Sequence, residues 1–321
     1  MKSLLQLLWL TGGISLSWRK FLYRRLRRMG HTPDFSFEID FYGLRYQGNL
    51  NNSIEASIFF YGAFEKPLLY FLHDIAQSLR EKQPESFITF LDVGANVGQH
   101  SLYMSNFVDS VVAFEPFPPV IEQFKHQLSI NQISNINLYE AGLSDQDQSL
   151  AFYAPSGPNQ GIGSFSQTTA EKGNKETSKL QLYKGDNFLR KRLTTKISVI
   201  KIDVEGFERK VISGLKETLR ESRPIIVCEI SYTDQLSFRS KESLLSYLPS
   251  NYVLCRFNTR KGDGSKAKRR GSSAKRSGVY EIIELKDWRI SGQDDVIAIP
   301  KEKVDIIRKT NRPSAKKSIL A

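Results

Sequence analysis

FLDVGANVGQHS, from Phe90 to Ser101, is the most informative stretch of this 321-residue sequence. The apolar run ITFL, which ends at Asp92, predicts a buried strand, and Gly94 and Gly98 predict a turn that opens a helix. A carboxylate and bare backbone therefore lie side by side where a strand ends. This arrangement predicts a ligand site in the turn.

Short apolar runs alternate with amphipathic segments on both sides of this stretch. The strand-like runs are ITFLDV, SVVAFE, INLYEA, LAFYA, ISVIKID, PIIVCEI, NYVLCRF and DVIAIP. Helical patterns such as VIEQFKHQLSINQ and GFERKVISGLKETLRES lie between several of them. This alternation predicts an α/β fold with a mostly parallel sheet, helices on both faces, and ligands bound at the carboxyl ends of the strands.

The net charge of +12 is unevenly distributed. Residues 1–30, 256–276 and 301–321 carry net charges of +7, +8 and +5, which leaves about −8 for the rest of the chain. A mildly acidic body with basic appendages disfavours a protein that follows a nucleic-acid backbone. Cys228 and Cys255 lack the spacing of a disulfide framework or a zinc site, so a reducing compartment is predicted.

The same segments predict the domain organisation. We expect a basic amphipathic leader at 1–30, a small N-terminal α+β subdomain at 31–86, a large α/β domain at 87–300 and a basic tail at 301–321. The Gly-, Ser- and Lys/Arg-rich segment 256–278 predicts a mobile loop in the large domain. The leader and this loop are interpreted either as solvated charged segments or as contacts with an anionic membrane surface.

The glycine turn excludes two common phosphate sites. A dinucleotide-binding turn needs glycine at its first, third and sixth positions, but counting from Gly94 the last two hold Asn96 and Gln99. A phosphate-binding loop needs a Gly-Lys-Ser/Thr ending, which is missing here. Asp92 would repel a phosphate and attract an ammonium or sulfonium group.

A second carboxylate completes the pattern. The run SVVAF is followed by Glu115, 21 residues after Gly94, where an acid can accept hydrogen bonds from both hydroxyls of a ribose. The expected ligand therefore has a ribose and a positive charge but no phosphate. S-adenosylmethionine meets all three conditions.

Several segments follow one another in this order: YGAFE at 61–65, LDVGANVGQHS, VVAFEPFP, NINLYEAGLSD, IKIDVEGFERKVISG and PIIVCEIS. Together they resemble the FkbM-type family of S-adenosylmethionine-dependent methyltransferases. The resemblance covers about residues 35–300 and is most specific between Phe90 and Gly214. It implies a class I Rossmann-like methyltransferase, with about seven strands and a reversed hairpin at one edge of the sheet. It also implies O-methylation of a sugar, glycan or small-metabolite hydroxyl.

The resemblance further implies a set of cofactor-binding residues. Asp92, Gly94 and Gly98 would surround the methionine part of the cofactor, with Asn96 in the same loop, Glu115 on the ribose, Ala141 and Ser144 near the adenine, and Phe117 as a wall of the adenine slot.

Three further carboxylates are predicted to converge where an acceptor would lie. Asp203 and Glu205 follow the fourth strand and Glu229 ends the fifth, at the same edge of the sheet. In one interpretation Asp203 and Glu229 bind Mg²⁺, which lowers the pKa of the acceptor hydroxyl. In another, Asp203 or Glu205 removes the acceptor proton. In a third, Glu205 and Glu208 support the start of the next helix. The three interpretations stay open.

Two other classes of function compete with this one. A nucleic-acid methyltransferase would account for the basic appendages, but IDVEGFE replaces the Asn/Asp-Pro-Pro-aromatic turn that grips a flipped base. A non-catalytic membrane-associated module is opposed by the intact cofactor loop. We therefore predict a cytoplasmic enzyme with a small-molecule or glycan acceptor, peripheral at the inner face of a membrane if residues 1–30 and 256–278 contact anionic lipid.

Overall fold

The structure is a computed structural model. It describes residues 15–31, 33–154, 163, 165, 174–232, 237–258 and 274–310. Several predictions lie wholly or partly outside this range, namely those for the first fourteen residues of the leader, a Gly/Ser-rich segment at 156–167 that we interpret as a flap or an ordinary surface loop, the basic-loop segment 259–273, and the tail beyond residue 310. Among the described helices, none combines the length and apolar character that a membrane crossing requires.

The described elements follow the predicted alternation of strands and helices. The strands are β1 Ser36–Phe41, β2 Leu44–Asn49, β3 Thr89–Val93, β4 Ser110–Phe114, β5 Ile136–Tyr139, β6 Gly142–Ser144, β7 Gln148–Ala154, β8 Lys175–Lys184, β9 Val199–Ile202, β10 Ile225–Ser231, β11 Tyr252–Phe257, β12 Ile282–Glu284 and β13 Gln293–Pro300. The helices are α1 Leu16–Arg28, α2 Ser53–Tyr61, α3 Lys66–Lys82, α4 Gln99–Ser105, α5 Pro118–Asn131, α6 Gly185–Arg190, α7 Glu208–Gly214, α8 Lys216–Ser222, α9 Lys241–Tyr247 and α10 Val304–Thr310, with a 3-10 turn at Lys301–Lys303.

The main sheet has the strand order β12-β11-β13-β10-β9-β3-β4-β5. The strands from β10 to β5 are parallel, whereas β13 runs antiparallel to both of its neighbours, β10 and β11. This arrangement confirms the predicted Rossmann-like methyltransferase sheet with a reversed edge. The sheet has eight strands instead of about seven, because the short β12 pairs with β11 at the edge.

One predicted strand lies elsewhere. The run LAFYA forms part of β7, which belongs to a separate sheet of order β6-β8-β7. Only the end of β7 is buried, with Phe152 and Ala154 packed against Leu180 of β8. The first four residues of β7 are exposed or partly exposed, unlike those of the central strands β3 and β9, which are buried throughout.

Alternate residues of the central strands pack on opposite faces of the main sheet. In β3, Phe90 lies in a core with α3, α4, α5 and α10, whereas Leu91 lies in a second core with α6, α7, α8 and α9. In β9, Val199 belongs to the first core and Ile200 to the second. Lys201 therefore follows Val199 onto the first face, where an apolar residue would be expected.

The N-terminal segment forms the predicted β1–β2 ribbon and amphipathic helix. Phe71, Leu72 and Ile75 of α3 are fully buried in the same core as Phe90, so this helix packs directly on the main sheet. The boundary after residue 86 stays a prediction.

The helix α1 packs on the outside of the N-terminal segment. Its Leu22, Tyr23 and Leu26 are buried, and Leu22 and Tyr23 lie in a small cluster with Phe60 of α2. Trp18 and Phe21 are more than half exposed on the same helix. The predicted membrane contact of the leader stays a prediction.

Candidate active site

A cavity of about 310 Å³ opens at the carboxyl ends of β3, β4, β9 and β10, where a sheet of this kind binds its ligands. Seven of the predicted site residues line it, namely Gly94, Asn96, Glu115, Phe117, Asp203, Glu205 and Glu229. The other residues that line the cavity include Phe64, Glu65, His100, Phe152, Phe165, Lys201 and Gln293.

The other four predicted residues are absent from the lining of the cavity. Asp92 is fully buried beneath it, and Gly98 lies against Phe124 of α5. Ala141 and Ser144 are buried at and just before β6, where the Ser144 hydroxyl donates to Asp145 Oδ1 at 3.1 Å. Direct contact of these four residues with a cofactor stays a prediction.

Two backbone N–H groups hold the Glu115 carboxylate. The N–H of Asn96 donates to Oε2 and the N–H of Phe117 donates to Oε1, each at 2.9 Å. Burial raises the pKa of Glu115 to about 7, although both hydrogen bonds oppose that shift. Each carboxylate oxygen keeps further acceptor capacity, so Glu115 is suited to a pair of vicinal hydroxyls.

The glycine turn lies directly against the segment that follows β9. Gly94 has φ of 81°, and a Cβ atom there would lie 1.9 Å from the backbone oxygen of Asp203. Asn96 also has a positive φ, of 53°, and its side chain accepts from the N–H of Val97 at 2.8 Å. The turn therefore needs glycine at 94 both for its conformation and for close packing.

A buried lysine forms part of the cavity lining. Lys201 has a side chain 4% exposed, and its Nζ lies 3.1 Å from Asp203 Oδ2 and 3.9 Å from Asp92 Oδ1. Burial opposes its charge, but Asp203 and Asp92 outweigh burial and raise the pKa of Lys201. The register explains the pairing with Asp92, because these residues are direct neighbours on β3 and β9.

Carboxyl groups crowd around this single lysine. Glu229 and Asp295 are direct neighbours on β10 and β13. Burial, followed by the charge of Asp203, raises the pKa of both, and burial together with Asp295 and Asp203 raises the pKa of Glu65. The cavity therefore has an excess of acidic groups, which a bound cation would relieve.

His100 of α4 lines the same cavity. It is 5% exposed, and its Nε2 lies 3.7 Å from Glu65 Oε2. Burial and the charge of Lys201 lower the pKa of His100 well below its usual value, so the ring is neutral. A neutral imidazole in the wall offers one donor and one acceptor.

Glu208 has the structural role that one interpretation gave it. Its Oε1 accepts from the N–H of Gly206 at 2.8 Å, directly before α7, and its side chain is buried. Burial raises the pKa of Glu208 to about 8. Glu205, by contrast, lines the cavity.

We expect the acidic excess to be visible as a pH dependence of stability. The pKa of Asp295 is raised on folding, so its contribution to stability is fully present below the unfolded value of about 4 and is lost as the pH rises through the folded value. Asp295→Asn cannot ionise. Its stability relative to the wild type should therefore increase between about pH 5 and pH 8, as measured by urea unfolding.

A matched control is Asp287→Asn, which removes a carboxylate from an exposed position. Its stability relative to the wild type should change little over the same range. A constant difference between Asp295→Asn and the wild type across this range would contradict the raised pKa.

The residues of the cavity fit S-adenosylmethionine in three respects. Glu115 is placed for a ribose, and the acidic groups suit a ligand with ammonium and sulfonium charges. Phe117 and Phe152 form an aromatic wall with ring centroids 5.1 Å apart, and Phe165 lies 5.1 Å beyond Phe152. Such a wall is suited to a flat adenine ring.

The strand order, the glycine turn and the carboxylate of Glu115 directly after β4 are together typical of a Rossmann-like methyltransferase. A family model described as the methyltransferase FkbM domain matches residues 92–253, which is half of the chain. The chain belongs to the FkbM methyltransferase family.

Two curated relatives are similar to this chain. Methyltransferase 1 of Beauveria bassiana is 29% identical over 150 residues, which is 41% of this chain and 59% of the relative. Hexuronic acid methyltransferase AglP of Haloferax volcanii is 27% identical over 154 residues, which is 48% of this chain and 60% of the relative. The chain therefore spans about three fifths of the length of these relatives.

Among solved structures, the FkbM methyltransferase from Methylobacillus flagellatus aligns with a TM-score of 0.38 at 15% identity, over 65% of this chain and 42% of that one. A putative methyltransferase from Streptococcus mutans in complex with SAH aligns with a TM-score of 0.34 at 10% identity, over 65% of this chain and 86% of that one.

Proposed function

We propose that this protein transfers the methyl group of S-adenosylmethionine to a hydroxyl oxygen of a sugar, glycan or other small metabolite. The observation that carries this proposal is the cavity that Glu115 lines together with three other carboxylates, Asp203, Glu205 and Glu229. Glu115 would bind the ribose, and the three carboxylates would lie beside the acceptor. The similarity to AglP, whose name specifies a hexuronic acid, supports a sugar acceptor. At 27% identity it does not specify which sugar.

The reaction needs alignment and removal of one proton. The acceptor oxygen attacks the methyl carbon, an O–C bond forms as the S–C bond breaks, and S-adenosylhomocysteine leaves as the neutral thioether. We assign the acceptor proton to Glu229, which lines the same cavity as Glu115. Burial and Asp203 raise the pKa of Glu229, and the positive charge of the bound cofactor would favour its ionised carboxylate, which then accepts the proton. Lys201 forms an ion pair with Asp203 at 3.1 Å, so Glu229 rather than Asp203 would contact the acceptor hydroxyl.

A divalent cation is a second candidate for the acidic groups. Asp203, Glu205 and Glu229 each offer a carboxylate oxygen, and these oxygens lie within 4.8 Å of one another. Such hard donors fit Mg²⁺, which when bound would lower the pKa of an acceptor hydroxyl. Lys201 already supplies one positive charge to Asp203, which weakens the case for a metal.

The experiment is a transfer assay with methyl-labelled S-adenosylmethionine and a panel of uronic acid glycosides and neutral glycosides. A hydroxyl acceptor gives a methyl ether that survives mild alkali, whereas methylation of a carboxylate gives an ester that does not. We expect alkali-stable label, and a loss of about a hundredfold in turnover in Glu229→Gln, typical of removing a general base. Alkali-labile label would contradict the hydroxyl assignment.

The same assay distinguishes a carboxylate base from a bound divalent cation. Turnover that persists in EDTA supports the carboxylate base. Turnover that EDTA abolishes and Mg²⁺ restores would replace that assignment with the metal.

A further inference from the structure

A second cavity, of about 390 Å³, lies between α1 and α2. Its basic lining residues are Lys20, Arg24, Arg27 and Arg28 of α1, together with Lys275. The others are uncharged, and within the described part of the chain no carboxylate lines this basic cavity. Five cations around one small volume favour an anionic ligand.

The cations of the basic cavity come from one side of α1. Lys20, Arg24, Arg27 and Arg28 follow a spacing of four, three and one residues, which places them along one stripe of a helix. Arg25, which lies between them in sequence, is exposed and is absent from the lining. The stripe therefore places four positive charges beside α2. A guanidinium group can donate two parallel hydrogen bonds to a pair of phosphate oxygens.

The charges act on Tyr61 at the end of α2. Lys20 Nζ lies 3.4 Å from the centre of the Tyr61 ring, and Arg24 Nη2 donates to Tyr61 Oη at 3.2 Å. Burial opposes ionisation, but Lys20, with Lys275 and Arg24, outweighs it and lowers the pKa of Tyr61. Three of the five cations therefore act on one side chain of the basic cavity.

The basic cavity adjoins the candidate active site. Ser53, at the start of α2, lines both cavities. At the other end of α2, Tyr61 lines the basic cavity while Phe64 and Glu65 of the following turn line the active-site cavity. The two cavities therefore lie next to each other along α2.

We infer that the basic cavity binds a phosphate or diphosphate group carried by the methyl acceptor, whose hydroxyl then lies in the active-site cavity. This inference rests on the proposed function. The opposite charges of the two cavities set the direction of binding, because the carboxylates around Glu229 repel the phosphate end and α1 attracts it. The phosphate belongs either to a soluble phosphorylated sugar or to a lipid-linked one, and both present the same oxyanion.

The test uses pyrophosphate as the probe and the full chain with S-adenosylhomocysteine present. We expect calorimetry to detect pyrophosphate binding to the wild type, and Arg24→Gln to weaken it about tenfold, as for loss of a hydrogen bond to a charged group. Arg25→Gln makes the same change of charge one residue away and should stay within about twofold. Melting curves verify that both variants are folded.

Vesicles separate the two sources of the phosphate. Co-sedimentation with phosphatidylcholine vesicles, with and without phosphatidic acid, is compared for the wild type and Arg24→Gln. Binding to phosphatidic acid that pyrophosphate displaces and Arg24→Gln weakens supports a lipid-linked phosphate. Pyrophosphate binding that Arg24→Gln weakens without any such vesicle binding supports a soluble one.

Two results would overturn the inference. These are the absence of pyrophosphate binding to the wild type, or equal weakening by Arg24→Gln and Arg25→Gln. Binding of S-adenosylhomocysteine is measured in the same titrations. Its absence alongside specific pyrophosphate binding would instead remove the proposed function and leave the phosphate site.

Discussion

Glu115→Ala is expected to weaken binding of S-adenosylmethionine and S-adenosylhomocysteine by a hundredfold or more in calorimetric titration. In the proposed cofactor site the carboxylate would accept hydrogen bonds from the two ribose hydroxyls, and each hydrogen bond to a charged group is worth roughly 1.5–3 kcal/mol. The variant also leaves the N–H groups of Asn96 and Phe117 without the acceptor that fixes the glycine turn. Binding energy and preorganisation of the turn are therefore lost together.

Two variants sharpen this prediction. Glu115→Gln keeps the shape of the side chain but turns one acceptor oxygen into a donor, so its affinity should fall between that of the wild type and that of Glu115→Ala. Glu122→Ala removes a carboxylate that is 72% exposed on α5 and should leave cofactor affinity unchanged. Cofactor binding by folded Glu115→Ala within about threefold of the wild type would contradict the ribose assignment.

Glu115 and Gly94 could be found from the sequence because the signal is local. A strand, a glycine turn and an acid after the next strand lie within one short stretch, and parallel strands bring their carboxyl ends to one edge whatever the details of packing. The same logic brought Asp203, Glu205 and Glu229 into the cavity lining.

Glu65 and Lys201 were missed because their positions depend on long-range geometry. Glu65 reaches the cavity from a turn before α3, in left-handed backbone with φ of 47°, and no periodicity predicts that approach. Lys201 did leave a signal, since a lysine in the run ISVIKID interrupts a strand that is otherwise apolar. Only the register shows that it faces Asp92.

The absence of Ala141 and Ser144 from the cavity lining has a similar cause. Both residues follow β5, and their position after the third strand of the main sheet predicted that they would lie near the adenine. The chain instead continues into β6, which belongs to the small sheet. Gly214 of α7 packs so closely there that a Cβ atom at this position would lie 1.9 Å from the backbone oxygen of Ser144. Phe152 of that sheet supplies part of the aromatic wall.

The buried Lys201 is expected to contribute strongly to the free energy of unfolding. Lys201→Met should lower the free energy of unfolding by about 3–5 kcal/mol in urea titration, as is typical when one partner of a buried ion pair is removed. Asp92 is fully buried and its Oδ1 forms no hydrogen bond within the described residues, so Lys201 is the nearby cation that offsets its charge. Burial already raises the pKa of Asp92.

The negative charge of Asp92, which lies beside Lys201, can be removed as well. Asp92→Asn in the background of Lys201→Met should recover a large part of the lost stability, because the fully buried charge is then removed as well, whereas Asp203 is 28% exposed and remains in contact with solvent. Lys210→Met is the matched control, since Lys210 pairs with Asp145 at 2.9 Å but its side chain is 38% exposed. A pair of that kind contributes about 0–1 kcal/mol. Equal costs for Lys201→Met and Lys210→Met would show that burial of the pair does not determine its effect, and the acidic groups of the cavity would then need another source of compensation.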